Sequence, residues 1–120
     1  MSYILLVDDD DDMLMLVSRW LQKAAYEVTA VNSGAAAITE ISRKIPDLIL
    51  LDYGMPEMDG PATLKAIREM ESGKTIPVLF RTGKDDLSAW ENMEMLKPFD
   101  VISKAEGKAL LLSKIETILQ

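Results

Sequence analysis

The chain has 120 residues, 48% of them hydrophobic, with 13 basic and 20 acidic side chains and a formal net charge of −7. That length suits one domain, residues 1–120, with a real core rather than a disordered chain, and the acidity disfavours direct nucleic-acid binding, which needs a basic footprint. The absence of cysteine excludes disulfides and thiolate zinc sites, and the absence of histidine excludes Ser-His-Asp and Cys-His catalysis and phosphohistidine chemistry on this chain.

Short apolar runs alternate with amphipathic segments along the chain, the βα pattern of a parallel sheet. The first strand is Tyr3 to Val7, apolar on both faces. Five aspartates, Asp8 to Asp12, follow it at once, which is unlike a signal peptide; no apolar run approaches a membrane span, and a cytoplasmic protein is expected. A helix is predicted from about Asp11 to Ala25, with Met13, Leu14, Leu16, Val17, Trp20 and Leu21 on its core stripe. A second strand follows at Glu27 to Val31, and Ser33 caps a second helix. The third strand is Leu48 to Leu51. A loop from Asp52 to Asp59 leads to a third helix at Asp59-Gly60-Pro61, with a carboxylate at the N-cap and proline in the first turn. The fourth strand is Val78 to Arg81, and a fourth helix is predicted from about Asp85 to just before Pro98. A fifth strand at Asp100 to Ser103 and a fifth helix from about Glu106 to Leu119 complete five βα units. The fold class is α/β: a doubly wound five-stranded parallel sheet in the flavodoxin-like order 2-1-3-4-5, with right-handed crossovers.

Ligands of such folds bind at the carboxyl ends of the strands, near the switch point. Asp8 and Asp9 end the first strand, Asp52 the third, Thr82 the fourth and Lys104 the fifth. Clustered carboxylates repel one another unless a cation joins them, and carboxylates with a backbone carbonyl are hard oxygen ligands that suit Mg²⁺. With an adjacent lysine and hydroxyl this is a set for handling phosphoryl groups. One carboxylate, best placed at Asp52, then acts as nucleophile and forms an acyl phosphate. Asp10, Asp11 and Asp12 read instead as an acidic helix start favoured by the helix dipole. A calcium loop does not fit, because counting from Asp8 or Asp10 finds no glycine at position six.

Four blocks, ILLVDDDDDM (Ile4 to Met13), PDLILLDYGMPEMDG (Pro46 to Gly60), IPVLFRTG (Ile76 to Gly83) and DVISK (Asp100 to Lys104), occur in one order along the chain. Together they closely resemble the response-regulator receiver domains of two-component signalling, over essentially the whole length. The resemblance implies that Asp52 is the phosphoacceptor, that Asp9 ligates Mg²⁺ directly, and that Asp8 acts on it largely through water. The main-chain carbonyl of Gly54 completes the protein's share of the coordination. Thr82 is implied to hydrogen-bond the phosphoryl oxygen, and Lys104 to pair with the phosphoryl group, or with Asp52 before phosphorylation. Lys97, in a Lys-Pro-Phe sequence, is the competing lysine, but it follows Thr82 too closely for a helix and another strand to intervene. The implied partners are a histidine kinase or phosphotransfer protein as donor and a downstream protein. The downstream protein reads the face of the predicted fourth helix, fifth strand and fifth helix, including Trp90, Met93, Val101 and Lys108; a homodimer is possible in such proteins. Neither nucleic acid nor membrane is an implied direct partner.

The sequence departs from the family pattern in places. Gly54 has no side chain to gate attacking water, and Lys84 is basic two residues after Thr82; both places tune phosphoryl lifetime in the family. Val101 stands where a switching aromatic is common, Ala105 replaces the usual proline after the lysine, and Arg81 replaces an apolar strand residue, so that if buried it needs an anion partner. Val101, Arg81 and Gly54 motivate one rival reading, a binding module of the same fold that no longer switches by phosphorylation. A Mg²⁺-dependent phosphatase is the other; it lacks a general acid two residues after Asp52. On the main reading the chain is a phosphoacceptor rather than an enzyme.

Overall fold

The computed structural model describes residues 1–83 and 97–120. The predicted fourth helix, with Lys84, Trp90 and Met93, lies outside the described residues. The described elements are β1 (Tyr3–Val7), α1 (Asp11–Lys23), β2 (Glu27–Val31), α2 (Gly34–Arg43), β3 (Leu48–Asp52), α3 (Gly60–Glu69), a 3₁₀ turn (Glu71–Gly73), β4 (Val78–Thr82), β5 (Phe99–Ser103) and α4 (Lys108–Leu119). The five strands form one parallel sheet in the order β2-β1-β3-β4-β5. Among the described residues, no helix is long and apolar enough to cross a membrane.

The period of two in each strand divides the core into two layers. Ile4, Leu6, Leu48, Leu50, Leu79 and Ile102 pack against Leu14, Val17 and Leu21 of α1 and Leu111 and Ile115 of α4. Their strand neighbours Leu5, Val7, Ile49, Leu51, Val78 and Phe80 face Ala37 and Ile41 of α2 and Leu64 and Ile67 of α3. Every residue of β1, β3 and β4 is buried, as strands covered by helices on both faces should be. The edge strands β2 and β5 carry Glu27, Thr29 and Asp100 and are only partly covered.

Local signals set most helix ends. Asp10 caps α1, its Oδ1 accepting from the N–H of Asp12 at 2.9 Å and of Met13 at 3.3 Å. Ser33 and Asp59 cap α2 and α3 in the same way. Two helices depart from the sequence expectation. The last helix begins at Lys108 rather than Glu106, because the Ser103 Oγ accepts from Ala105 N–H and the Ser103 carbonyl accepts from Glu106 N–H, holding a turn there first. Helix α1 stops at Lys23: Ala25 adopts φ 71° and donates to Gln22 O, while Tyr26 donates to Leu21 O, a Schellman closure. Leu16, expected on the core stripe, is 43% exposed, since α1 turns Leu14, Val17 and Leu21 inward instead.

Alanine in the left-handed region is strained, and glycine is the usual residue at this helix-end position. Ala25→Gly relieves the strain at some cost in unfolded-chain entropy, so it is expected to stabilise the protein by on the order of 0.5 kcal/mol. Thermal or urea melting checks this; a loss of stability would mean the Schellman closure does not form in solution.

Candidate functional site

The sheet brings the first candidate residues together at its C-terminal edge. β1 and β3 are neighbours although a strand and two helices separate them in sequence, so Asp8, just beyond β1, meets Asp52, the last residue of β3. The Asp8 main chain continues the sheet, donating to Val31 O at 3.2 Å. Its Oδ1 accepts from Asp10 N–H at 3.0 Å, turning the chain into α1 and setting Asp9 at the bend. One carboxylate oxygen from each of Asp8, Asp9 and Asp52 lies within 4.8 Å of the other two. Asp8 and Asp52 are each 2% exposed, whereas Asp9 is open to solvent. Asp10, Asp11 and Asp12 stay outside the cluster as the cap and first turn of α1.

Lys104 follows β5, and its main chain is held by an N–H bond to Thr82 O at 2.8 Å. Its Nζ donates to Asp52 Oδ1 at 2.8 Å. Lys97 precedes β5, at the opposite edge of the sheet. Thr82 ends β4 in register with Ser103 and is 6% exposed. Gly54 lies in the exposed loop after β3, where a Cβ would meet no atom within 4 Å. That loop turns tightly: Met58 N–H reaches back to Pro56 O at 2.7 Å around Glu57, whose φ is 64°. Gly60 then brings the start of α3 against the end of β3, where a Cβ would stand 2.7 Å from Asp52 O and 2.8 Å from Tyr53 Cα. Only glycine permits that approach, and it fixes the main chain on which Asp52 sits.

Among the described residues, two buried side-chain atoms have no hydrogen-bond partner, Asp52 Oδ2 and Arg81 Nη1. A buried carboxylate oxygen without a donor is costly. Burial raises the Asp52 pKa to about 6; the hydrogen bond from Lys104 opposes the rise, and Asp8 and Asp9 add to it. The free oxygen, the neighbouring carboxylates and the exclusively oxygen donor set fit a small hard divalent cation such as Mg²⁺. Arg81 was flagged by the sequence only as a departure. The structure adds it to the site's surroundings: it is 3% exposed, and its main chain is in register with Asp52. The signal was its place one residue before Thr82, on the strand that neighbours β3.

The model of the response regulator receiver domain matches residues 4–116. The chain belongs to this family. Its members are receiver modules of two-component signalling that accept phosphoryl groups from histidine kinases and act on downstream partners, and they typically bind Mg²⁺ through acidic residues. Among similar proteins, the transcriptional regulatory protein PrrA of Mycobacterium tuberculosis is 36% identical over 114 residues, 90% of this chain and 49% of PrrA. The chain thus spans about half the length of that relative. The response regulator receiver protein CpdR of Brucella abortus is 31% identical over 119 residues, covering 99% of this chain and 98% of CpdR. The solved structure of the chemotaxis protein CheY4 of Vibrio cholerae superposes with a TM-score of 0.93 at 28% identity, covering 99% of both chains. The strand order 2-1-3-4-5 is the flavodoxin-like order expected from the sequence.

The raised Asp52 pKa predicts a pH dependence for the metal-free protein. The folded chain takes up a proton below about pH 6 that the unfolded chain takes up only near 3.8. This group's contribution to stability is therefore lost as pH rises through about 6. Asp52→Asn cannot titrate, so its melting temperature in chelator should gain on the native chain between pH 5 and pH 7.5. A constant difference across that range would show an ordinary carboxyl at Asp52.

Proposed function

We propose that this chain is a phosphorylation-controlled switch whose acceptor is Asp52, loaded with Mg²⁺ and charged by a partner's phosphohistidine. The observation that carries the proposal is the division of labour at the Asp52 carboxylate. Oδ1 is held by Lys104, Oδ2 is buried and unpartnered, and the carboxylate as a whole lies beside two more, Asp8 and Asp9. Asp8, Asp9, Asp52 and the Gly54 carbonyl would hold the cation in this reading. When bound, Mg²⁺ supplies positive charge to the phosphoryl oxygens as they approach three carboxylates.

The remaining chemistry belongs to the chain. The Asp52 carboxylate attacks phosphorus in line, the P–N bond of the donor phosphohistidine breaks, and an acyl phosphate forms. The donor must come from a histidine kinase or phosphotransfer protein, since this chain has no histidine. The Lys104 ammonium, a compact point charge already 2.8 Å from Asp52, transfers its hydrogen bond to the incoming phosphoryl oxygens. Thr82 donates its hydroxyl to the same group from the end of β4. These shifts pull on the turns after β4 and β5, and a downstream protein reads the resulting change on the face of β5 and α4. On the described part of that face, Val101 is half-buried and Lys108 exposed. The chain acts in the cytoplasm and catalyses only its own phosphorylation and the loss of its phosphoryl group.

One observation favours a second reading, a binding module that does not switch. Val101 packs against the α2–α3 side of the core and offers no aromatic ring to swing with Thr82. Beryllofluoride binding that leaves the backbone NMR signals of β5 and α4 unmoved would favour it.

The main proposal predicts that acetyl phosphate labels the protein once by intact mass, that chelator abolishes labelling, and that Asp52→Asn abolishes it as well. Labelling of Asp52→Asn at the native rate would remove Asp52 as acceptor.

A further inference from the structure

Arg81 is the one basic residue in β4, a strand buried at every position. Leu79, two residues earlier, packs on the side of the sheet covered by α1 and α4, so Arg81 leaves the strand on that side. Asp52 follows Leu48 and Leu50 with the same parity, and Asp8 follows Ile4 and Leu6. Lys104 stands in the same relation to Ile102. Four charged groups therefore leave β1, β3, β4 and β5 toward one side, at one end of the sheet.

A guanidinium buried to 3% exposure is costly unless charge compensates it. Arg81 has no ion pair with a described residue, and its Nη1 has no hydrogen-bond partner. What favours its charge is the field of Asp8 and, after it, of Asp52. An arginine locked to one carboxylate is spent largely on that partner. One held by the field of two, Asp8 and Asp52, acts on both, and it keeps its proton at any ordinary pH.

We propose that Arg81 is a fixed internal counter-ion of the Asp8–Asp9–Asp52 cluster that sets how tightly the site holds Mg²⁺. The inference rests on the Mg²⁺ reading given above. Among the described residues, Lys104 alone would leave the three carboxylates with two excess negative charges; Arg81 reduces the excess to one. The cluster is thus held together without metal at lower repulsion, and an entering dication meets a weaker field. Arg81 is a positioning charge rather than a ligand, because it acts on the cation through the carboxylates' field.

Calorimetric titration of the metal-free chain with MgCl₂ at pH 7.5 tests this. Arg81→Met removes the charge and should bind Mg²⁺ about tenfold tighter than the native chain, the order expected for losing one nearby like charge in a partly shielded site. Arg81→Lys keeps the charge and should stay near the native affinity. Arg81→Gln, neutral but polar, should match Arg81→Met and serves if the methionine variant does not fold. A merely structural arginine would change melting temperature without tightening Mg²⁺. Neutral variants that bind no tighter than the native chain would overturn the inference while leaving the metal site standing. A native chain that binds no Mg²⁺ would instead remove the metal reading, and this inference with it.

Discussion

Asp8, Asp9 and Asp52 bring carboxylate oxygens within 4.8 Å of one another, and the fold must hold this like charge in place. Three buried strands supply the rigidity. Asp52 ends β3, Asp8 follows β1, and the close approach of Gly60 fixes the main chain between β3 and α3. Only then does repulsion become useful: the groups cannot move apart, so the energy is relieved by a proton, a lysine or a cation. Lys104 supplies one such relief at Asp52 Oδ1, and the raised pKa of Asp52 records what is left.

The strands and their order were legible because burial on both faces leaves a simple mark. YILLV and LILL have no polar position to suggest any other element, and right-handed crossovers restrict how such runs are ordered. Once the order is known, the meeting of Asp8 and Asp52 follows from topology, and the turn into α1 adds Asp9. That Lys104 rather than Lys97 follows the fifth strand and reaches Asp52 was also legible, from how many residues a helix and a strand require and from the apolar pair Val101-Ile102 before it. The ends of α1 and α4 were less so. Nothing in Ala24-Ala25-Tyr26 announces a left-handed residue in place of the usual glycine, and the turn at Ser103 competes with a helix start that the sequence placed at Glu106.

The parts that depend on individual atoms could not be read in advance. Sequence shows that a buried Arg81 needs negative charge nearby. It does not show that Asp8 and Asp52 are the carboxylates whose field favours its charge, or that Nη1 is left without a partner. Likewise the pattern singles out Asp52 as a candidate but not the inequality of its two oxygens, one paired and one free. The net charge of −7 is itself largely local. Without Asp8 to Asp12 and Asp52, acids and bases nearly balance, so the chain is close to neutral apart from one end of its sheet.

In the reading proposed above, this end of the sheet is a divalent-cation site built around Asp52. A backbone NMR titration of the metal-free chain with Mg²⁺ tests it most directly. A cation held there gives saturable shifts centred on Asp8 to Asp10, Asp52 to Gly54 and the turns after Thr82 and Ser103, all abolished together by Asp9→Asn with Asp52→Asn. Shifts scattered over the surface acids such as Glu40, Glu69 and Glu116, or no saturable shifts at all, would contradict it.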